Sequence, residues 1–349
     1  MTQNKTLIFK KVPTTFPVPG EHLTVEDRGF DPSAPPPAGG ITVENLWASL
    51  DPYQRGRMRP SGTKSYSAAY ELDGPVSNDS VSRVLKSDSP DYKEGDLIVA
   101  HVPIAEYAVL SKEYLAAVRH KIDNPYNLDL GLFLGALGMP GRTAWSSLYE
   151  IGKPQKGETI FVSSAAGAVG QLVGQIAKRE GLRVIGSVGT DEKLEFIEKE
   201  LEFEGFNYKK EKPADALKRL APNGIDIYYE NVGAEHLEAA LDAMRERGRI
   251  VASGMISQYN LAPGEQYGIK NLMLIVAKRI TMRGFIVSDP DFGPVYHEDH
   301  QTKLQKWLAD GSVKAKLDVT EGIDKAPEGL VGMLQGKNFG KAVVKIKAE

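Results

Sequence analysis

The stretch from Glu158 to Gly189 restricts what this chain can fold into more than any other. Ile160 to Val162 is a short run of β-branched and aromatic residues, the pattern of a buried strand. It leads into Ala165-x-Gly167-x-x-Gly170, a close relative of the Gly-x-Gly-x-x-Gly turn. Val169, Leu172, Val173, Ile176 and Ala177 then recur at helical spacing and define one apolar face. Gly181 closes that helix, and Leu182 to Val188 reads as the next strand. Strand, tight turn, helix and strand in this order suit anion binding. Small residues let the backbone approach a pyrophosphate, and the helix start offers unpaired N–H groups. A glycine turn that only packs strand on helix would carry the same spacing.

The alternation continues downstream. Asp191 to Glu200, Pro213 to Leu220, Glu235 to Met244 and Asn271 to Ala277 read as helices. Phe203 to Tyr208, Ile225 to Glu230, Gly248 to Ser253 and Ile280 to Val287 read as strands. Six strands with helical crossovers predict the α/β class and a doubly wound parallel (Rossmann) sheet. Residues 1 to about 128 differ, with short strands between Pro- and Gly-rich turns and a polar, arginine-bearing loop at Asp51 to Arg59. After about residue 295, a helix at Gln301 to Ala309 and a terminal strand at Lys341 to Lys347 leave the alternation. They are expected to pack back on the first part. The predicted domains are a β-rich domain over 1–129 and 296–349, and a dinucleotide-binding domain over 130–295.

A length of 349 residues suffices for two cores. The net charge of -3, with both signs interspersed, gives no basic field for nucleic acid. Cysteine is absent, which excludes disulfides, Cys-ligated zinc, iron–sulfur clusters and thiol nucleophiles. No apolar window approaches the ~18 residues of a membrane span. The first residues hold no secretory core, and Lys347-Ala-Glu349 matches no targeting tripeptide. A cytoplasmic location is the expectation.

In a dinucleotide fold an acidic side chain at the end of the second strand holds the adenosine ribose 2′-OH. Here that place is Ser187-Val-Gly189-Thr190, with no acid. Lys193 follows in the first turn of the next helix, where a cation opposes the helix dipole unless an anion is close. A ribose 2′-phosphate would be that anion, so the reading is NADP(H). A solvated lysine balanced by Asp191 and Glu192 is the alternative.

His297-Glu-Asp-His300 has a spacing open to metal binding but lacks a third ligand, so no metal is expected. Tyr149-x-x-x-Lys153 precedes the nucleotide turn, the reverse of the order in short-chain dehydrogenases. Without metal or strong base, the simplest hydride chemistry is conjugate reduction. Hydride adds to the β-carbon of an α,β-unsaturated carbonyl, and neutral donors such as tyrosine hydroxyls stabilise the enolate oxygen.

Several blocks together resemble the zinc-independent medium-chain dehydrogenases/reductases, and within them the alkenal/enone double-bond reductases related to leukotriene hydroxydehydrogenase/prostaglandin reductase. They are Asp51-Pro-Tyr-Gln-Arg-Gly-Arg-Met58, Pro90-Asp-Tyr-Lys-Glu-Gly-Asp96, Leu137-Gly-Met-Pro-Gly-Arg-Thr-Ala144, Ala165-Ala-Gly-Ala-Val-Gly170, Phe206-Asn-Tyr-Lys209, Glu230-Asn-Val-Gly233, Gly254-Met-Ile-Ser-Gln-Tyr-Asn260 and Gly336-Lys-Asn-Phe-Gly-Lys341. The resemblance implies a chaperonin-10-like β-rich domain beside the nucleotide domain. It implies that Gly167, Ala168, Val169 and Gly170 cradle the pyrophosphate, and that Lys193 and Tyr208 hold the 2′-phosphate. Asn231, Ser253, Gly254, Ile256, Ser257, Tyr259, Phe285, Val287 and Asn338 would line the rest of the cofactor.

The family's substrate cleft lies between its domains, and tyrosines at the positions of Tyr53 and Tyr259 reach the carbonyl end. The nicotinamide ribose hydroxyl is a possible proton source. A homodimer through the last strand of the nucleotide sheet is also implied. A loop aromatic capping the core is the alternative for Tyr53. The chain departs from its relatives just before Val81-Ser-Arg83, where Asn78 and Asp79 stand in place of a Gly-rich stretch with an aromatic. The expected activity is NADPH-dependent reduction of a C=C bond conjugated to a carbonyl. A quinone oxidoreductase of the same superfamily and a non-catalytic NADPH-binding protein are the alternatives.

Overall fold

In the computed structural model, residues 1–262 and 264–347 are described, so Ala348 and Glu349 of the terminal tripeptide lie outside them. The chain forms two compact units, one made of residues 1–135 with the segment from Leu317 onward, the other of Ala136–Lys316.

The second unit is built on a six-stranded parallel sheet. Its strand order is Glu204–Asn207, Arg183–Val188, Thr159–Val162, Ile225–Glu230, Met244–Ala252 and Thr281–Gly284. Counted along the chain this is 3-2-1-4-5-6, the doubly wound order that reverses beside the first strand. Thr159–Val162 is buried along its whole length, as a central strand covered on both faces must be. Phe161 stacks on Tyr228 at 5.0 Å, and both join Ile185, Phe206, Leu237, Leu241 and Ile250 in one core cluster. The helix Gly170–Arg179 buries Leu172, Val173 and Ile176, the face read from the sequence.

Some boundaries differ from the sequence expectation. The last strand stops at Gly284, because Phe285 leaves the sheet to stack on Phe292 at 4.8 Å. The helix Met139–Ser147 begins directly after Gly138, with Pro140 in its first turn where a missing N–H costs nothing. The helix His297–Ala309, expected with the β-rich domain, belongs to the second unit. Its His300 Nε2 lies 2.9 Å from the Ala136 carbonyl, its Gln301 donates to the Leu137 carbonyl at 2.7 Å, and Trp307 packs on Trp145. Gln171 and Gln175 then fix the following segment by pairing with backbone groups of Lys314 and Lys316.

The first unit is β-rich, as expected. Its main sheet runs Leu317–Glu321, Lys341–Lys345, Ile41–Ser49, Ser77–Ser87, Leu97–Pro103 and Val118–Lys121, with Tyr107–Leu110 also on Ile41–Ser49. A smaller sheet joins Leu23–Asp27, Lys5–Phe9 and Gly74–Pro75. Leu7, Phe9, Leu50, Met58, Val76, Leu330 and Val344 fill one core. The arginine-bearing loop contains a one-turn helix, Tyr53–Arg57, anchored by Arg55 donating to the carbonyls of Pro13 and Thr15 at 3.2 and 2.9 Å. Among the described residues, no helix is long and apolar enough to cross a membrane.

The helix behind the nucleotide turn packs with little tolerance. A Cβ on Gly174 would lie 2.3 Å from Cζ of buried Phe203. Gly-to-Ala in a helix interior ordinarily stabilises by roughly 0.5–1 kcal/mol. Gly174→Ala is expected instead to destabilise by about 1–3 kcal/mol through overpacking, read as a lower denaturation midpoint; a raised midpoint would show that the ring yields.

Candidate active site

Val162 ends its strand against a turn with almost no room for side chains. Ser164 takes a left-handed backbone with φ of 54°, and its carbonyl accepts the Gly167 N–H at 2.9 Å. Such a conformation in a non-glycine residue stores strain and is found at functional turns. A Cβ on Gly170 would meet that same carbonyl at 2.3 Å, so only glycine fits. The helix Gly170–Arg179 starts without a side-chain cap; Gln171, Leu172 and Val173 donate to the carbonyls of Gly167 and Val169, and the N–H groups of Ala168, Val169 and Gly170 have no acceptor among the described residues. Gly167, Ala168 and Val169 are half-buried in front of it. Backbone donors, a positive dipole end and absent side chains fit a pyrophosphate.

The end of the second strand gathers the next group. Thr190 caps the helix Asp191–Glu195 by accepting the Lys193 N–H at 3.2 Å. Asp191 takes the Asn207 side-chain amide at 2.8 Å and an ion pair with Lys210, and that lysine holds its carboxyl below the usual range. Tyr208 donates its N–H to the Val188 carbonyl at 3.0 Å, and its hydroxyl lies 3.0 Å from where a Cβ on Gly189 would sit. Gly189, Lys193 and Tyr208 therefore surround one strand end. His236 meets the Tyr208 ring edge-on at 5.2 Å, and burial pushes its pKa down to about 4. It gave no sequence signal, being a lone histidine on a helix face.

Three further turns meet beyond the neighbouring strand ends. Buried Glu230 accepts on Oε1 from the Tyr228 hydroxyl (2.8 Å) and from the N–H groups of Val232 (2.7 Å) and Gly233 (2.8 Å). Its backbone carbonyl accepts the N–H groups of Ser253 and Gly254, both at 3.0 Å. Burial pushes the Glu230 carboxyl upward despite these donors. Asn231 donates its amide N–H to Ser163 Oγ at 2.9 Å and its side chain to the Ser163 carbonyl at 2.8 Å. Ile256 and Ser257 donate to the carbonyls of Asn231 and Val232, each at 3.1 Å. The structure thus brings Asn231, Ser253, Gly254, Ile256 and Ser257 together at the carboxyl edge of the sheet, where doubly wound folds bind ligands.

Tyr259 completes this group. Its hydroxyl accepts the Met255 N–H at 3.2 Å, and among the described residues no hydrogen bond takes its own proton. Burial raises its pKa, so the phenol stays protonated at neutral pH. Phe285 and Val287 follow the edge strand, and the Val287 carbonyl would lie 2.0 Å from a Cβ on Gly293. Asn338 belongs to the first unit and donates to the Gly340 carbonyl at 2.8 Å.

Tyr53 also lies in the first unit, where its hydroxyl donates to Asn78 Oδ1. Asn78 donates in turn to the Ser49 carbonyl at 2.8 Å and to Asp51 at 3.0 Å, and Asp51 pairs with buried Lys341 at 2.8 Å. Sequence reading marked Asn78 as unusual but could not supply its partners. Among the described residues, no three His, Asp or Glu side chains gather as a metal set.

Residues 168–302 match the family model described as zinc-binding dehydrogenase, and residues 5–118 match that of the N-terminal domain of oxidoreductase. The NADP-dependent oxidoreductase RED1 of Cochliobolus heterostrophus is 54% identical, over 99% of this chain and 98% of its own. The chain is a medium-chain dehydrogenase/reductase of the NADP-dependent, alkenal/enone reductase-like kind. A 2-alkenal reductase (NADP(+)-dependent) from Nicotiana tabacum is 40% identical, covering 99% of this chain and 98% of its own. CurA from Vibrio vulnificus, solved in complex with NADPH, superposes with a TM-score of 0.88 at 32% identity, covering 99% and 100% of the two chains. This medium-chain dehydrogenase/reductase is therefore an NADP-dependent oxidoreductase.

His236 yields a prediction for acid stability. Its folded-state pKa lies below the ordinary value of 6.5, so the unfolded chain binds the proton more readily. Stability is whole above about 6.5 and is lost as pH falls toward about 4. His236→Phe should flatten that part of the pH profile, a difference of up to roughly 3 kcal/mol, measured by urea unfolding at several pH values. An unchanged profile would show that the ring is not held neutral.

Proposed function

We propose that this enzyme reduces the C=C bond of α,β-unsaturated aldehydes and ketones with NADPH. The observation that carries the reading is Tyr259, a half-buried, protonated phenol whose oxygen is fixed by the Met255 N–H and whose proton has no acceptor among the described residues. The bound reduced nicotinamide supplies the hydride, delivered to the β-carbon. Negative charge then develops on the carbonyl oxygen, and a positioned neutral donor stabilises it there more than in the ground state. Tyr259 has that role in this reading, and the α-carbon takes its proton afterwards.

The turns held by Glu230 and Ser163 keep the backbone around Tyr259 fixed, so little reorganisation is needed as charge appears. The cofactor roles follow the same grouping. The Gly167–Gly170 turn would hold the pyrophosphate, Lys193 and Tyr208 the 2′-phosphate, and Asn231, Ser253, Gly254, Ile256 and Ser257 the nicotinamide half. Phe285 and Val287 would complete that lining. The similarity to a 2-alkenal reductase supports the substrate class.

The direct test follows NADPH oxidation with a panel of enals, enones and quinones and identifies the products. Saturated aldehydes or ketones are expected. Allylic alcohols, or quinone turnover with inert enals, would sink the reading. Tyr259→Phe should lower kcat by at least about tenfold with little change in NADPH affinity; an unaltered kcat removes it from the chemistry. Lys193→Ala should weaken NADPH binding by about 1–3 kcal/mol and leave NADH binding nearly as it was, measured by fluorescence titration. Equal weakening of both would refute the 2′-phosphate role.

A further inference from the structure

The two oxygens of the Glu230 carboxyl have different surroundings. Oε1 takes the N–H groups of Val232 and Gly233 at 2.7 and 2.8 Å, and such groups can only donate. Oε1 is therefore an acceptor in either protonation state, and a proton on this carboxyl sits on Oε2. That second oxygen is buried and has no hydrogen-bond partner among the described residues. The two hydroxyls that reach Oε1, those of Tyr228 and Ser163, each have another acceptor. Tyr228 can turn to Ser163 Oγ at 3.2 Å, and Ser163 to the Tyr229 carbonyl at 3.2 Å. Removing the charge from Glu230 strands none of its donors.

No cation offsets a charge there. Among the described residues no ion pair reaches Glu230; Ala252 is its partner on one flanking strand, and Ser163 follows the other. The titratable groups on the surrounding elements are Tyr228 on its own strand, Tyr259 beyond the next one, and His236 on the helix after its turn, kept neutral by burial. A charged oxygen without a partner costs more in such a place than a hydroxyl without one, and burial pushes this carboxyl above its ordinary value. Tyr259 lies within reach of the charge. Its hydroxyl is 3.1 Å from where a Cβ on Gly254 would sit, and the Gly254 N–H is bonded to the Glu230 carbonyl at 3.0 Å. Burial raises the Tyr259 pKa, and a charge on Glu230 raises it further. A carboxylate here opposes negative charge on any oxygen that the phenol binds.

We propose that Glu230 works as a neutral acid with its proton on Oε2, and that its ionisation withdraws the stabilisation Tyr259 gives to the enolate oxygen. The proposal rests on the enone-reductase reading and deepens it by adding a control on the same site. Glu230 is a positioning residue that acts through Tyr259. At low pH it is neutral and the phenol acts in full. As pH rises and the carboxylate forms, the hydride step slows.

The test pairs the pH profile of kcat, with NADPH and an enone, with the infrared carbonyl band of a protonated carboxyl. In the unaltered enzyme the band should persist well above pH ~4.3, where ordinary glutamates ionise. Over the range in which it fades, kcat should fall by about tenfold. Glu230→Gln, which keeps an acceptor at Oε1, should lack both the band and the fall. Tyr259→Phe should keep the band and show no fall in its residual rate. A Glu230 that only holds the turns would lower kcat of the Gln variant by one factor at every pH and leave the fall in place, which would overturn the proposal. A fall that survives in Tyr259→Phe would also overturn it, and that comparison decides the matter if the Gln variant does not fold. An absent band with enones still reduced would overturn it and leave the enone reading standing. No reduction of any enone would overturn both.

Discussion

One carboxylate oxygen organises the carboxyl edge of the parallel sheet. Glu230 sits fully buried at the end of a strand whose other residues, Asp226 apart, are apolar or aromatic, where a charge is costly unless several donors meet it. Four donors converge on Oε1, and two of them are consecutive backbone N–H groups of the turn that follows. Those bonds bend the chain back at Gly233, whose φ of 82° completes the reversal. The same residue's carbonyl receives the chain leaving the next strand. Two loops that the topology merely places side by side are thus tied to one residue, one to its side chain and one to its backbone carbonyl, and Ser163 ties a third. A nucleotide-binding edge formed of backbone amides is only as well defined as the bonds that hold the loops, and here they form one connected network around Glu230 and Ser163.

The parts legible in the sequence were those governed by short-range pattern. Ile160 to Val162, the small-residue turn and the apolar face ending at Ala177 lie within a few residues of one another. Their period fixes strand and helix with no distant contact. The parallel six-stranded sheet followed from the alternation of strands and helices, whereas its strand order did not. Long-range pairing was not legible. The helix His297–Ala309 carries no mark that assigns it to one unit, and its docking depends on His300 and Trp307 finding Ala136 and Trp145. Glu230 looked like an ordinary polar strand end, because burial is a property of the assembled sheet. Asn78 was visible as a departure, yet its meaning lies in Ser49, Asp51 and Lys341, which no local pattern connects to it.

The polar interior of the first unit shows how a neutral side chain can take direction from a distant charge. Lys341 is almost wholly buried, and burial pushes its ammonium below the ordinary lysine value while Asp51 pulls the other way. An ion pair in such surroundings contributes little net stability, but removing either partner costs about 3–5 kcal/mol. Its clearer effect is orientational. Asp51 fixes Asn78, and Asn78 fixes the Tyr53 proton. The charge acts two hydrogen bonds away from where it sits.

That pair also joins residues 290 positions apart in the chain. During synthesis the ribosome releases the contiguous second unit complete, while the first still lacks the strand Lys341–Lys345 that pairs with both Ile41–Ser49 and Leu317–Glu321. Until that strand emerges, Asp51 has no Lys341 ammonium opposite it and one sheet edge has no neighbour. The amino-terminal part of this protein is translated first and finished last, so the nucleotide fold has already had time to form when the unit that holds Tyr53 closes.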